Sequence, residues 1–205
     1  MRARSANLLV VLATALPLAA FLAAERWIAG APGLPLDDAW IHLHFARNLA
    51  EGAGFSYNPG TPVAGSTAPL WTLLLGGTFT VFGPSLLATK VLGVALTVTA
   101  ALVTRRAALA WGAAPLAATG AAVALLWTAA FAWGALSAME VSLAALLVSA
   151  ALAAHARDRL IWVAGLAGLA PLARPETVIL IPLLALARPA RGRRLAVFAT
   201  ISGLA

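Results

Sequence analysis

Cysteine is absent from the 205-residue chain, which excludes disulfides, thiolate nucleophiles and thiolate metal sites and leaves the redox compartment unmarked. Charge is scarce: Asp, Glu, Lys and Arg make up 10% of the residues against 62% hydrophobic ones, and mean hydropathy is +0.93. With apolar runs too long for an ordinary soluble core, this composition predicts an integral helical membrane protein with no separate soluble domain. Acid is the scarcer sign, with 7 Asp and Glu against 14 Lys and Arg, a net charge of +7. In a soluble domain that excess would point to nucleic acid. Here the arginines cluster in short segments beside apolar runs, as cytoplasmic anchors of membrane spans do, so nucleic acid is not an expected partner. No internal repeat or linker divides the chain, and residues 1–205 read as a single transmembrane domain.

What is abundant is aliphatic sequence, and the basic clusters set its topology. The stretch from Leu8 to Ala24 follows "MRAR" and is long for a cleaved signal, so it reads as a first span with a cytoplasmic N-terminus. Residues 30–68 then form the first external loop. "PLWTLLLGGTFTVF", Pro69 to Phe82, is short and carries a Gly-Gly pair; an interfacial or re-entrant helix is as compatible with it as a crossing. If it does not cross, Ser85 to Thr104 returns inward, Ala113 to Trp133 goes out, "GALSAMEV" is an external loop and Val141 to Ala154 comes back. A hairpin from Leu160 to Ala187 then carries "ARPE" at its outer tip and leaves "RPARGRR" inside. Every basic cluster except the tip arginine is then cytoplasmic, whereas the opposite parity exports Arg105, Arg106, Arg157 and Arg159. The expected fold class is all-α: a polytopic bundle of about six crossings or hairpin legs, with amphipathic surface helices in the first loop and packing through small residues such as "GAAPLAATGAAVA" and "AGLAGLA". Trp71, Trp111, Trp127, Trp133 and Trp162 read as interfacial belt residues.

This topology collects Asp37, Asp38, Glu140, Arg174 and Glu176 on or near the external side, and ionisable groups at a membrane edge are functional candidates. "LPLDDAWIHLHFARNLAEGAGFSYNPG" holds the densest polar chemistry. A helix starting near Asp37 places Asp37, His44, Asn48 and Glu51 on one face beside Arg47, while Ile41, Phe45 and Leu49 lie toward the other with Asp38 and His42. One aspartate is accounted for as an N-cap; the second is left at the membrane edge. His42 reads as a packed or interfacial histidine. Asp and His side chains here are both able to ligate a metal, but the D-x3-H-x-H spacing alone does not define a zinc site, and Asp37 and Asp38 are the first candidates for any cation. "YNPG" reads as a turn leading into an ordered loop, and "GAGF" lacks the lysine of a nucleotide loop, so a nucleotide sugar is not the expected donor.

"DDAWIHLHFARNLAEGAGFSYNPGTPVAGSTAPLWTLLL" resembles the first external loop of GT-C superfamily glycosyltransferases, in particular the branch containing actinobacterial arabinofuranosyltransferases. "SAMEVSLAALL" resembles the branch's second-loop motif, with Ala138 where glycine usually stands, and "LARPETVILIP" resembles its Arg-Pro-Glu motif. The three occur in the family's order between Asp37 and Pro182. The resemblance implies an inverting transfer of a sugar, arabinofuranose first and a hexose second, from a polyprenyl-phosphate donor to a glycan or lipid acceptor, at the outer face of a bacterial plasma membrane. It maps the general base onto Asp37, with Asp38 assisting or holding a divalent cation, magnesium or manganese. His44, Glu140, Arg174 and Glu176 become substrate-binding candidates, Arg174 facing the departing phosphate. Structural roles stand beside these: Arg174 and Glu176 as pins of a short helix pair, Glu140 as a helix-N-terminal acid. A lipid-linked-sugar transporter and a non-catalytic membrane subunit are the alternatives from other classes. Family members generally carry further spans, so "RRLAVFATISGLA" at the end of the sequence reads as the start of another and the chain as an N-terminal portion.

Overall fold

The computed structural model describes residues 3–187 and 200–203, and is mostly helical. Two helices are long and apolar enough to cross a membrane: α1 (Ala3–Ala29) and α4 (Leu86–Ala110). At 1.5 Å per residue they span about 40 and 38 Å, more than a hydrocarbon core of about 30 Å. A third is obtained if α5 (Pro115–Leu126) and α6 (Ala129–Leu136) count as one element, but they are bent by 60° at the intervening break. The expected continuous span from Ala113 to Trp133 is therefore broken after Leu126, and the expected loop shrinks to residues 137–140 before α7 (Val141–Ala156). α8 (Leu160–Ala173), a 3-10 turn (Pro175–Ile179) and α9 (Leu180–Leu186) complete the described helices, and "RPARGRR" falls outside the described residues.

Helix directions follow from cross-contacts. Asn7 lies against Arg105 and Glu25 against Lys90, so α1 and α4 run antiparallel. Thr97 meets Ser142 at 2.7 Å and Thr104 meets Ser149 at 2.8 Å, two hydroxyl pairs one heptad apart, so α4 and α7 run parallel and are hydrogen-bonded along their length. Arg174, just past α8, approaches Glu140, just before α7, so these two are antiparallel. One end of the assembly thus gathers Glu25, Lys90, Glu140, Arg174 and Glu176; the other gathers Arg4, Arg105, Arg106, Arg157 and Arg159.

Small residues set the interhelical distances. A Cβ on Gly93 of α4 would overlap the Ala135 carbonyl of α6, and one on Gly134 would sit 2.8 Å from Cβ of Val141. Ala118 and Ala122 of α5 and Ala164, Ala167 and Ala170 of α8 are fully buried, as their small-residue stretches predict. Arg105 does not behave as a solvated anchor: it is buried, donating to Thr119 Oγ1 at 3.1 Å and Asn7 Oδ1 at 3.0 Å.

The segment between α1 and α4 positions the site. α2 (Asp37–Ala50) packs its apolar side, Ala39, Leu43 and Ala46, onto Trp71, Leu75 and Phe79 of α3 (Pro69–Phe82); α3 in turn packs on α8, and the same apolar cluster takes in Ala170 and Ala173 of α8 and Leu143 and Leu147 of α7. The docked side is centred on Ala39, Leu43 and Ala46 rather than on the expected Ile41, Phe45 and Leu49, of which Phe45 is buried and the other two are half-buried. Between α2 and α3 lies a feature the all-α reading omits, an antiparallel two-stranded ribbon of β1 (Ser56–Asn58) and β2 (Thr61–Pro62). Its turn is Asn58–Pro59–Gly60–Thr61, with Gly60 at φ +82°, where a side chain would be strained. Trp71 is not a belt residue: it is 1% exposed and donates to the Ala138 carbonyl at 2.8 Å. Trp111, Trp127 and Trp162 do present more than half of their surface.

Candidate functional site

α2 begins at Asp37, as the sequence predicts, but neither aspartate is its N-cap; that position is Leu36, without a side-chain cap. Both aspartates occupy the first turn and are exposed, where the helix dipole favours carboxylates, and Asp37 Oδ1 accepts from the Asp38 N–H at 3.0 Å. One turn on from Asp38, His42 points inward and is 3% exposed. Its Nδ1 lies 3.2 Å from Ser66 Oγ and 3.3 Å from Thr72 Oγ1, hydroxyls themselves 2.7 Å apart. On the ring's far side Nε2 lies 3.7 Å from Glu140 Oε2.

Glu140 is 6% exposed, and its Oε2 has no hydrogen-bond partner. The second oxygen, Oε1, is 3.6 Å from Arg174 Nη1, an ion pair rather than a hydrogen bond. Arg174 is partly exposed and gives its Nε to Glu176 Oε1 at 2.8 Å. A buried carboxylate with one long ion pair and an imidazole beyond hydrogen-bond distance is an incompletely satisfied charge, the kind of group found where a structure serves a ligand as well as its own stability. The turn presenting Glu140 is built for this placement: Ala138 adopts φ +61°, and its carbonyl is pinned by Trp71. A glycine at this position would take that conformation without strain.

Burial holds the His42 pKa below its ordinary 6.5, against the opposing pull of Glu140 first and Asp38 second. The imidazole is therefore neutral at pH 7, with Nδ1 placed to accept from a hydroxyl and an N–H on Nε2 turned toward the carboxylate. The Glu176 carboxyl is also lowered, by a backbone hydrogen bond first and by Arg174 second.

The structure thus brings together Glu140, Arg174 and Glu176 from two separate motifs and adds His42 of the first, with Asp38 close enough for its charge to be felt at the imidazole. His44 is not part of this group. It faces the other side of α2, 4.6 Å from the Tyr57 ring. Asn48 is buried as a brace, its amide donating to the Ser56 and Tyr57 carbonyls at 2.8 Å each. Among the described residues no three His, Asp or Glu side chains cluster as metal ligands, so Asp37 and Asp38 offer a cation two carboxylates without a third ligand of that kind.

No family model, curated protein or solved structure matches the chain. The functional reading rests on this geometry and on the motif resemblance.

Sequence reasoning treats His42 as packing and passes over Ser66, Thr72, Glu25 and Lys90. The last two form a buried pair, Lys90 Nζ lying 2.7 Å from both Glu25 oxygens, with the Gly33 N–H on the same carboxylate at 3.0 Å. The available signal is that Lys90 is the chain's one lysine and stands at the head of the uncharged run 91–104 of α4, where an unpaired charge would be costly.

Proposed function

We propose that the chain is a multi-pass membrane glycosyltransferase module, N-terminus cytoplasmic, that transfers a sugar from a polyprenyl phosphate to a cell-envelope acceptor hydroxyl on the outer side. The observation carrying this reading is the convergence on Glu140: three separated motifs, at 37–75, 137–147 and 172–182, contribute His42, Glu140 and Arg174 to one polar cluster at the end of the helices that carries most of the acids. About six crossings or hairpin legs fit the helix directions, with α7 and α8 as short legs beside the longer α1 and α4.

In the proposed reaction the acceptor oxygen bonds to the anomeric carbon as the carbon–oxygen bond to the phosphate breaks. The electron pair leaves with the polyprenyl phosphate, and the hydroxyl proton passes to a carboxylate of the Asp37–Asp38 pair. Arg174, partly exposed and only loosely held by Glu140, is the cation available to the departing phosphate. Glu140 orients Arg174 and His42, and its unsatisfied oxygen is an acceptor for a sugar hydroxyl.

The test is an in vitro transfer assay with a panel of polyprenyl-phosphate sugars, with and without chelator. Asp37→Asn with Asp38→Asn, and separately Glu140→Gln, are expected to lower transfer at least about a hundredfold while expression and donor binding persist. Unchanged transfer in both would remove the carboxylates from the chemistry. Movement of lipid-linked sugar across vesicles without acceptor product would assign the cavity to transport instead.

A further inference from the structure

Trp40, His44 and Arg47, on the side of α2 turned away from Glu140, line a cavity of their own. Asp37, Trp40, His44 and Arg47 follow one another at spacings of three and four, a single stripe along the helix. Trp40, His44 and Arg47, with Tyr57 of β1, wall a groove of about 320 Å³ floored by Leu43 and Phe79. Its size and its largely apolar lining with a few polar groups match small-molecule sites of about 300–1,000 Å³.

We propose that this groove binds a neutral saccharide, and that within the transfer reaction above, on which this assignment of role rests, it holds the acceptor glycan. Three features select the ligand class. The first is the pair of aromatic walls, Trp40 and Tyr57, 50% and 43% exposed. Tyr57 is fixed rather than loose, because Asn48 clamps its backbone and its ring rests on His44 at 4.6 Å and Phe45 at 5.8 Å. Held aromatic faces suit the C–H faces of a sugar ring.

The second is the rim. Arg47 Nε binds Glu51 Oε1 at 2.7 Å, which leaves the two guanidinium amino groups as donors beside a carboxylate with a further acceptor oxygen. Vicinal hydroxyls need donors and acceptors together. A phosphate would gain the arginine but meet the glutamate, so the pair favours an uncharged polyol over an anion. The third is direction. Asp37 lies one turn before Trp40 on the same stripe, beyond the end of the groove, whereas Asp38, the next residue, stands one turn before His42 on the face turned to Glu140 and Arg174. A glycan lying along the groove brings its end to one aspartate while the other faces the arginine, so two adjacent carboxylates serve two sides of one helix.

The experiment uses the chain in lipid nanodiscs, with an arabinofuranose tetrasaccharide and a mannotriose as probes, read by saturation-transfer NMR and by tryptophan emission of wild type against Trp40→Phe. Trp40→Ala, Tyr57→Ala and Arg47→Ala are each expected to weaken binding of at least one probe tenfold or more, while Trp162→Phe, an exposed tryptophan outside the groove, binds as wild type. In the transfer assay Trp40→Ala is expected to raise the acceptor KM about tenfold with a much smaller change in kcat and none in the donor KM. Saccharide binding by the wild type without transfer from any donor would keep the groove and remove the enzymatic reading. Transfer with unchanged acceptor KM in Trp40→Ala, or Trp40 emission quenched by brominated acyl chains and indifferent to both saccharides, would overturn the groove and make Trp40 a membrane-belt residue.

Discussion

Ala138 shows how one residue sets the geometry of the site. An L-residue in the left-handed region costs about 1–2 kcal/mol, and Ala138 bears that cost so that Glu140 turns inward and Trp71 finds its acceptor. Ala138→Gly is expected to stabilise the protein by up to about 1 kcal/mol, less than the full relief because glycine is freer when unfolded; a raised thermal midpoint in detergent checks it. Trp71→Phe should lower the midpoint, leaving a buried carbonyl unpaired at about 1–3 kcal/mol. His42 yields a pH prediction. Its folded pKa lies below 6.5, so between those values the unfolded chain binds a proton that the folded chain does not. Its contribution is complete above about pH 6.5 and is lost as pH falls toward the folded value. The wild-type midpoint should therefore fall over this window relative to His42→Gln. Glu140→Gln, which removes the group raising His42 most, should extend the loss to lower pH.

At the scale of elements, glycine positions separate contact from propensity. Gly93 and Gly120 both lie inside apolar helices, but a Cβ on Gly93 would overlap the backbone of α6 whereas one on Gly120 meets nothing within 4 Å. Gly120→Ala is expected to be neutral or to stabilise by up to about 1 kcal/mol through helix propensity. Gly93→Ala should cost about 1–3 kcal/mol or more, because backbone rather than a flexible side chain must yield. Equal midpoints for the two variants would mean that α4 and α6 are not in this contact. The start of α2 at Asp37 is legible from the turn residues before it and the amphipathic run after it. Which of its histidines is buried is not, because both faces of α2 are covered: α3 lies on one and the ribbon, tied by Asn48, reaches over the other. Sequence spacing therefore favours His44 as the site ligand, and tertiary packing brings His42 to Glu140 instead.

For the whole molecule, the separation of charge between the two helix ends is the main result, and the Glu25–Lys90 pair ties α1 to the acid-rich end. Lys90→Met alone should cost about 1–3 kcal/mol by leaving the part-buried Glu25 carboxylate with only the Gly33 N–H, while Lys90→Met with Glu25→Leu should recover most of that. Single cysteines report the orientation directly in a chain that has none. Glu176→Cys is expected to react with an impermeant maleimide on intact cells, and Arg106→Cys only after permeabilisation. The reverse pattern would invert the proposed topology.

By itself the sequence determined the helical, membrane-compatible character of the chain, the first-loop helix and the set of acids worth inspecting, because hydropathy and helical periodicity accumulate over neighbouring residues. Only the tertiary structure decided that His42 joins Glu140 and Arg174, that α5 and α6 break apart, that Trp71 is interior and that a ribbon crosses α2. Each of these depends on where distant segments come to rest against one another, a property that no local window of sequence contains.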